Sequence, residues 1–120
     1  PTKYKDKYGN NVKAGFQVDE VLRNNSPEKF IVQNQSNGKR IRIGSKDVFV
    51  QPGKHTYTIK YKTDRQIGFF DGFDELYFNA IGYGWNFEID RAQITLNLPD
   101  KATPLHQSKA SESAKLSQNF

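Results

Sequence analysis

A catalytic reading of the chain begins with its two histidines, His55 and His106, because imidazole is the commonest general acid–base group in enzymes. His55 opens a run of alternating large and polar residues, where a packed or edge histidine is the ordinary reading. His106 sits among Lys, Ser, Ala and Gln, in a stretch with no pattern of its own. Neither stands beside a nucleophile in a recognisable motif, although a triad can be assembled from distant positions. Cysteine is absent, which removes thiol catalysis, disulfides and cysteine-ligated zinc together. No glycine-rich phosphate loop, zincin helix or nucleophile elbow occurs. The expectation is a non-enzymatic chain without a cofactor.

Three groups of residues could instead bind. Asp71, Asp74 and Glu75 put three carboxylates within five positions, but the spacing is not that of a calcium loop, and a solvated turn is the expected reading. Arg40 and Arg42 fall on one side of an expected strand, with Lys39 and Lys46 beside them, and form an anion-binding candidate. Nucleic-acid binders interleave aromatic platforms with such cations, whereas the nearest rings here, Phe30 and Phe49, do not alternate with the arginines. Nucleic acid is therefore not expected as a partner. The aromatics are the most uneven feature: residues 57–87 hold ten of the chain's 16 rings. Core packing is the ordinary fate of such a cluster. Tyr77, Tyr83 and Trp85 are the members that glycines would expose, so they are the candidate platform for a sugar ring or a protein surface.

The elements that must position these groups read as strands. His55, Tyr57, Ile59 and Tyr61 interleave with Thr56, Thr58, Lys60 and Lys62; Ala92, Ile94, Leu96 and Leu98 interleave with Arg91, Gln93, Thr95 and Asn97. Weaker versions occur at Phe16, Val18, Glu20 and Leu22, where Glu20 breaks the apolar side, at Ile41 and Ile43, and at Trp85, Phe87 and Ile89. Turn residues separate the runs, among them Asn24-Asn25-Ser26-Pro27, Ser36-Asn37-Gly38, Gln51-Pro52-Gly53 and Asp71-Gly72. Little helix is expected. The pattern predicts an all-β domain over residues 1–99, an antiparallel immunoglobulin-like β-sandwich with Trp85, Ile59, Ile94 and Leu96 buried, or else a partly open barrel. Residues 100–120 read as a flexible tail or linker.

The chain starts at Pro1 and contains no methionine, so it reads as a processed or excised piece. Its longest uncharged run, Leu76 to Phe87, is too short and too polar to span a membrane as a helix. Net charge is +5, with the cations concentrated in the middle and the carboxylates in residues 71–90.

These residues also resemble a known family. His55-Thr56-Tyr57-Thr58-Ile59-Lys60-Tyr61, then Asp74-Glu75-Leu76-Tyr77-Phe78-Asn79-Ala80-Ile81-Gly82, Trp85 and Leu98-Pro99 are similar to the N-terminal domain of the YciQ-like predicted bacterial membrane proteins, a domain of unknown function (2207). Ile41-Arg42-Ile43-Gly44, Pro52-Gly53 and the opening Pro1-Thr2 fit the same pattern over residues 1–99. Phe78 stands where the family usually has tryptophan. The resemblance implies an extracytoplasmic domain, anchored through membrane-spanning segments of its parent, and it brings no catalytic, metal or ligand-binding residues with it. The functional expectation is an extracytoplasmic interaction module contacting an envelope protein or glycan. Carbohydrate binding at Tyr77, Tyr83 and Trp85 is the alternative, or a basic β domain that binds an anion or nucleic acid at Arg40, Arg42 and Lys46.

Overall fold

Alternating side chains become a sheet only where a turn brings the chain back beside itself, and here most of the turns are short. The computed structural model describes residues 1–76, 78–82 and 84–98, together with the backbone of Ala114–Gln118. The chain divides into two compact units, Pro1–Tyr77 and Phe78–Phe120. Among the described residues there is no helix.

The described residues of the first unit form nine strands: β1 (Lys3–Lys5), β2 (Asn11–Lys13), β3 (Phe16–Arg23), β4 (Ser26–Pro27), β5 (Phe30–Gln35), β6 (Gly38–Ile43), β7 (Tyr57–Thr63), β8 (Ile67–Phe70) and β9 (Phe73–Leu76). β1–β2, β5–β6 and β8–β9 are antiparallel hairpins, and β3 lies between β4 and β7 in a three-stranded sheet. The antiparallel all-β character is as the alternation predicted. These pairings do not by themselves make the two facing sheets of a sandwich: each sheet has two or three strands, too little area to cover its own apolar face.

The centre of the first unit is the β3–β7 pair. Val18 faces Tyr61, but the register then slips, so that Glu20 faces Lys60 and Val21 faces Ile59. The slip leaves Asp19 as the extra residue of a bulge. Because side chains alternate with period two, one extra residue moves the apolar side from even to odd positions. Phe16, Val18 and Val21 therefore share a face with Tyr57, Ile59 and Tyr61, and the Phe16 and Tyr61 rings stack with centroids 5.0 Å apart. This is the physical reason that Glu20 interrupts the sequence pattern: it lies on the wet face, where its carboxylate pairs with Lys60 at 2.6 Å, and Asp19 reaches Lys62 at 3.6 Å. Exposed pairs of this kind contribute at most about 1 kcal/mol each, so the apolar face decides the register.

Fully buried apolar side chains are few. Among the described residues only Ala14 and Val21 qualify. Ile59, Ile94 and Leu96, expected in a core, are half-buried, and Trp85 is 40% exposed. The elements are tied instead by side-chain-to-backbone hydrogen bonds at their turns. Asn24 and Asn25 both have positive φ, the conformation of a type I′ two-residue loop, which asparagine tolerates. The Asn24 side chain accepts from the Thr56 N–H at 2.9 Å and meets His55 Nδ1 at 3.0 Å, while His55 Nε2 bonds the Gln51 carbonyl at 2.6 Å. Asn37 Oδ1 accepts from the backbone N–H groups of Thr2 and Lys3, joining the tip of the β5–β6 hairpin to β1. Gly15 N–H donates to Asp64 at 2.6 Å, close enough that a side chain at Gly15 would collide with that carboxylate.

In the second unit, β10 (Ala92–Leu96) keeps the predicted alternation, with Ala92, Ile94, Leu96 and Leu98 half-buried and Gln93, Thr95 and Asn97 exposed. Trp85, Phe87 and Ile89 form no strand and are exposed. Gly82 and Gly84, both at positive φ, turn the chain there, so the period-two pattern has no neighbouring strand to face. β10 pairs in parallel with β11 (Ala114–Gln118), a strand within the stretch read as a tail. The remainder of that stretch lies outside the described residues.

Two carboxylates should make the stability of the first unit fall in acid. Asp6 is held below the ordinary carboxylate range, chiefly by the Asn10 side chain and then by backbone N–H groups across the β1–β2 loop; Glu28 is held down chiefly by the Arg23 guanidinium. A depressed native value stabilises the fold fully above the unfolded carboxylate pKa, and that contribution is lost as pH falls through the native value. Asp6→Asn should remove the Asp6 share of this acid limb and leave that of Glu28. Unfolding midpoints measured between about pH 6 and pH 2 check it.

Candidate functional site

Three surfaces inherit the sequence candidates. The first is the β8–β9 hairpin, where Asp71-Gly72 forms a two-residue loop and Phe70 faces Phe73 directly. Gly72 has a φ of 82°, which suits glycine at the second loop position. The Phe70 and Phe73 rings stack at 5.1 Å with an interplanar angle of 18°. Gly68 makes room for this: a Cβ there would lie 2.9 Å from Phe70 Cε2. Phe69, on the opposite side of the hairpin with Ile67, Asp74 and Leu76, is 66% exposed. The carboxylates of Asp71, Asp74 and Glu75 are exposed on the same hairpin, Asp74 on the Phe69 face and Glu75 on the other. Among the described residues, no group of three or more His, Asp or Glu side chains is placed to hold a metal ion.

The second surface is at Trp85. Its indole N–H donates to the Ile81 carbonyl at 2.9 Å, and Asn79 Oδ1 accepts from the Gly82 N–H at 3.0 Å, so a short bonded turn orients the ring. With the donor satisfied, what remains to offer is the ring face. Tyr77 and Tyr83, the other two members of the predicted platform, lie outside the described residues.

The third surface is basic. In the β5–β6 register Arg42 faces Ile31 and Arg40 faces Gln33, so both arginines stand on the face of Ile31, Gln33 and Gln35. The opposite face carries Phe30, Val32, Ile41 and Ile43. Arg40, Arg42 and Lys46 are all exposed, and none has an ion-pair partner among the described residues. Lys46 is at the turn closed by the Val48 N–H donating to the Ser45 carbonyl. After Asp47 come three residues whose role sequence reasoning missed, Val48, Phe49 and Val50. They are exposed, Phe49 to 91%. Three consecutive apolar residues beside a Pro-Gly pair were the available signal.

His55, the one histidine within the described residues, is tied up by Asn24 and Gln51 in a turn. That is a structural use of imidazole.

The family described as "Predicted membrane protein (DUF2207) N-terminal domain" matches residues 1–119. The chain belongs to this family. The match extends past the last motif residues at Leu98-Pro99 and so takes in the β11 segment of the DUF2207 domain. No curated protein and no solved structure matches the chain. Among the described residues of the domain, no helix is long and apolar enough to cross a membrane.

The stacking of Phe70 on Phe73 across Gly68 gives a direct check of the hairpin. Gly68→Ala should displace the Phe70 ring and abolish the ring-current shifts between Phe70 and Phe73 in proton NMR. The amide pattern of β3 and β7 should stay in place.

Proposed function

We propose that the chain is a non-catalytic interaction module on the extracytoplasmic side of a bacterial membrane, and that the β8–β9 hairpin grips a protein partner. The observation that supports this reading is the exposure of three phenylalanines on one short hairpin, the stacked Phe70 and Phe73 on one face and Phe69 on the other, where scattered single apolar residues would need no explanation. Aromatic side chains are enriched in the cores of protein interfaces. The surrounding Asp71, Asp74 and Glu75 disfavour an anionic lipid or polymer and favour a protein with a basic rim. An immunoglobulin-like sandwich belongs to the same proposal, because the one-sided apolar faces of β3–β7 and β5–β6 are what facing sheets need.

The test places one cysteine in the parent protein at Phe69 and, separately, at Tyr8, which is also exposed. A membrane-impermeant thiol–amine cross-linker is then added to spheroplasts. Phe69→Cys should capture a protein of defined mass that Tyr8→Cys does not. Reaction of both sites only after lysis would sink the extracytoplasmic placement, and equal, diffuse products from both would sink the partner.

A second reading, carbohydrate stacking at Trp85, is favoured by the half-exposed ring with its N–H already bonded. Trp85 is the sole tryptophan, so intrinsic fluorescence reports on it alone. Peptidoglycan-derived oligosaccharides should shift or quench that emission. An unchanged spectrum at millimolar sugar ends this reading.

A further inference from the structure

The loop that follows the β5–β6 hairpin combines features that neither protein gripping nor sugar stacking uses. Its tip, Val48-Phe49-Val50, is apolar and exposed, and Phe49 is the most exposed large hydrophobic side chain among the described residues. The loop is held at several points. The Gly44 N–H donates to the Lys29 carbonyl at 2.7 Å, the Val48 N–H to the Ser45 carbonyl at 3.3 Å, and His55 Nε2 bonds the Gln51 carbonyl at 2.6 Å. Gly44 and Gly53, both at positive φ, allow the reversals at its two ends. An apolar tip held out in this way has already lost much of the conformational freedom that insertion would otherwise cost.

Cations precede it in the chain, with the exposed Asp47 between the nearest of them, Lys46, and Val48. Lys46 is in the turn that leads into the tip, and Arg42 and Arg40 stand on one face of the strand that feeds it. Ile31, exposed and directly opposite Arg42, adds apolar area to that same face. A free polyanion would use the cations but leave Phe49 in water. A protein partner would use the ring and the arginines, and it is the outcome the vesicle test separates from a lipid surface. An anionic bilayer surface uses both parts, with headgroup phosphates for the cations and the acyl boundary for the ring. The family supplies the setting, since the chain is the N-terminal domain of a predicted membrane protein.

We infer that the Val48-Phe49-Val50 tip, acting with the cations Lys46, Arg42 and Arg40 that precede it, docks on the anionic phospholipid surface of the membrane that anchors the parent. This surface is separate from the β8–β9 hairpin, so either proposal can fail alone.

The test is co-sedimentation of the full 120-residue chain with phosphatidylglycerol-containing vesicles and with pure phosphatidylcholine vesicles. Binding is expected to the former only. Phe49→Ser should weaken it about tenfold or more at constant salt, and Arg40→Gln and Arg42→Gln about fivefold each. Phe49 is so exposed that its replacement should leave the circular dichroism unchanged. As a second readout, Phe49→Trp should gain a blue-shifted emission that lipids with brominated acyl chains quench. Equal binding to both vesicle types, no binding at all, or binding that salt abolishes and Phe49→Ser leaves intact would each overturn the inference; the last would assign the cations to polyanions in general.

Discussion

The pairing of β3 with β7 is the interaction on which the first unit rests. It is the longest ladder in the unit, it joins segments far apart in sequence, and its apolar face contains Val21, one of the two fully buried side chains among the described residues. The bulge at Asp19 makes it work. Without the extra residue, Glu20 would occupy the side now taken by Val21, and a carboxylate would replace an aliphatic group against Ile59. The neighbouring elements attach to this pair through its ends. Asn24 ties the β3–β4 turn to the start of β7, while Gly15 and Asp64 tie the start of β3 to its end. Tyr4 Oη donates to the Arg65 carbonyl, and Arg65 in turn bonds the Lys13 carbonyl, which brings in the β1–β2 hairpin.

Such ties explain how strands with so little buried apolar area hold a defined arrangement. A buried valine or leucine contributes about 1.5–3 kcal/mol, and a satisfied hydrogen bond about 0.5–1.5 kcal/mol. With few residues of the first kind, the second kind carries more of the specificity. Asparagine and aspartate supply most of it here, because their short side chains reach backbone N–H groups a few ångströms away. The same scarcity of interior leaves large apolar residues outside, and those residues are what the functional proposals rest on.

The strands at 57–63 and 92–96 were legible in the sequence because period-two alternation reports one-sided burial directly, and that holds for half-buried faces as well as for a full core. The hairpin at Asp71-Gly72 was legible as turn chemistry. Trp85 was misread because alternation alone cannot tell whether a neighbouring strand exists, and Gly82 and Gly84 remove the segment from any ladder. The bulge at Asp19 was visible only as a flaw, the misplaced Glu20; its meaning requires the partner strand. The Val48–Val50 tip was passed over because a three-residue apolar run is too short to carry a period. Of the sequence-level site residues, Arg40 and Arg42 share a face as the spacing implied, while Tyr77 and Tyr83 lie beyond what the structure describes.

The wide separation of β3 and β7 also orders events during synthesis. When β3 emerges during synthesis, its only nearby pairing partner is the two-residue β4, and the β5–β6 hairpin must appear before β7 does. At roughly 5–20 residues per second, β3 waits a few seconds with one edge and its oily side uncovered. The hairpin that forms meanwhile shortens the loop still to be closed and so reduces the entropy lost when β7 arrives. The nascent chain is therefore most vulnerable to wrong strand pairing in that interval, before Thr63 emerges.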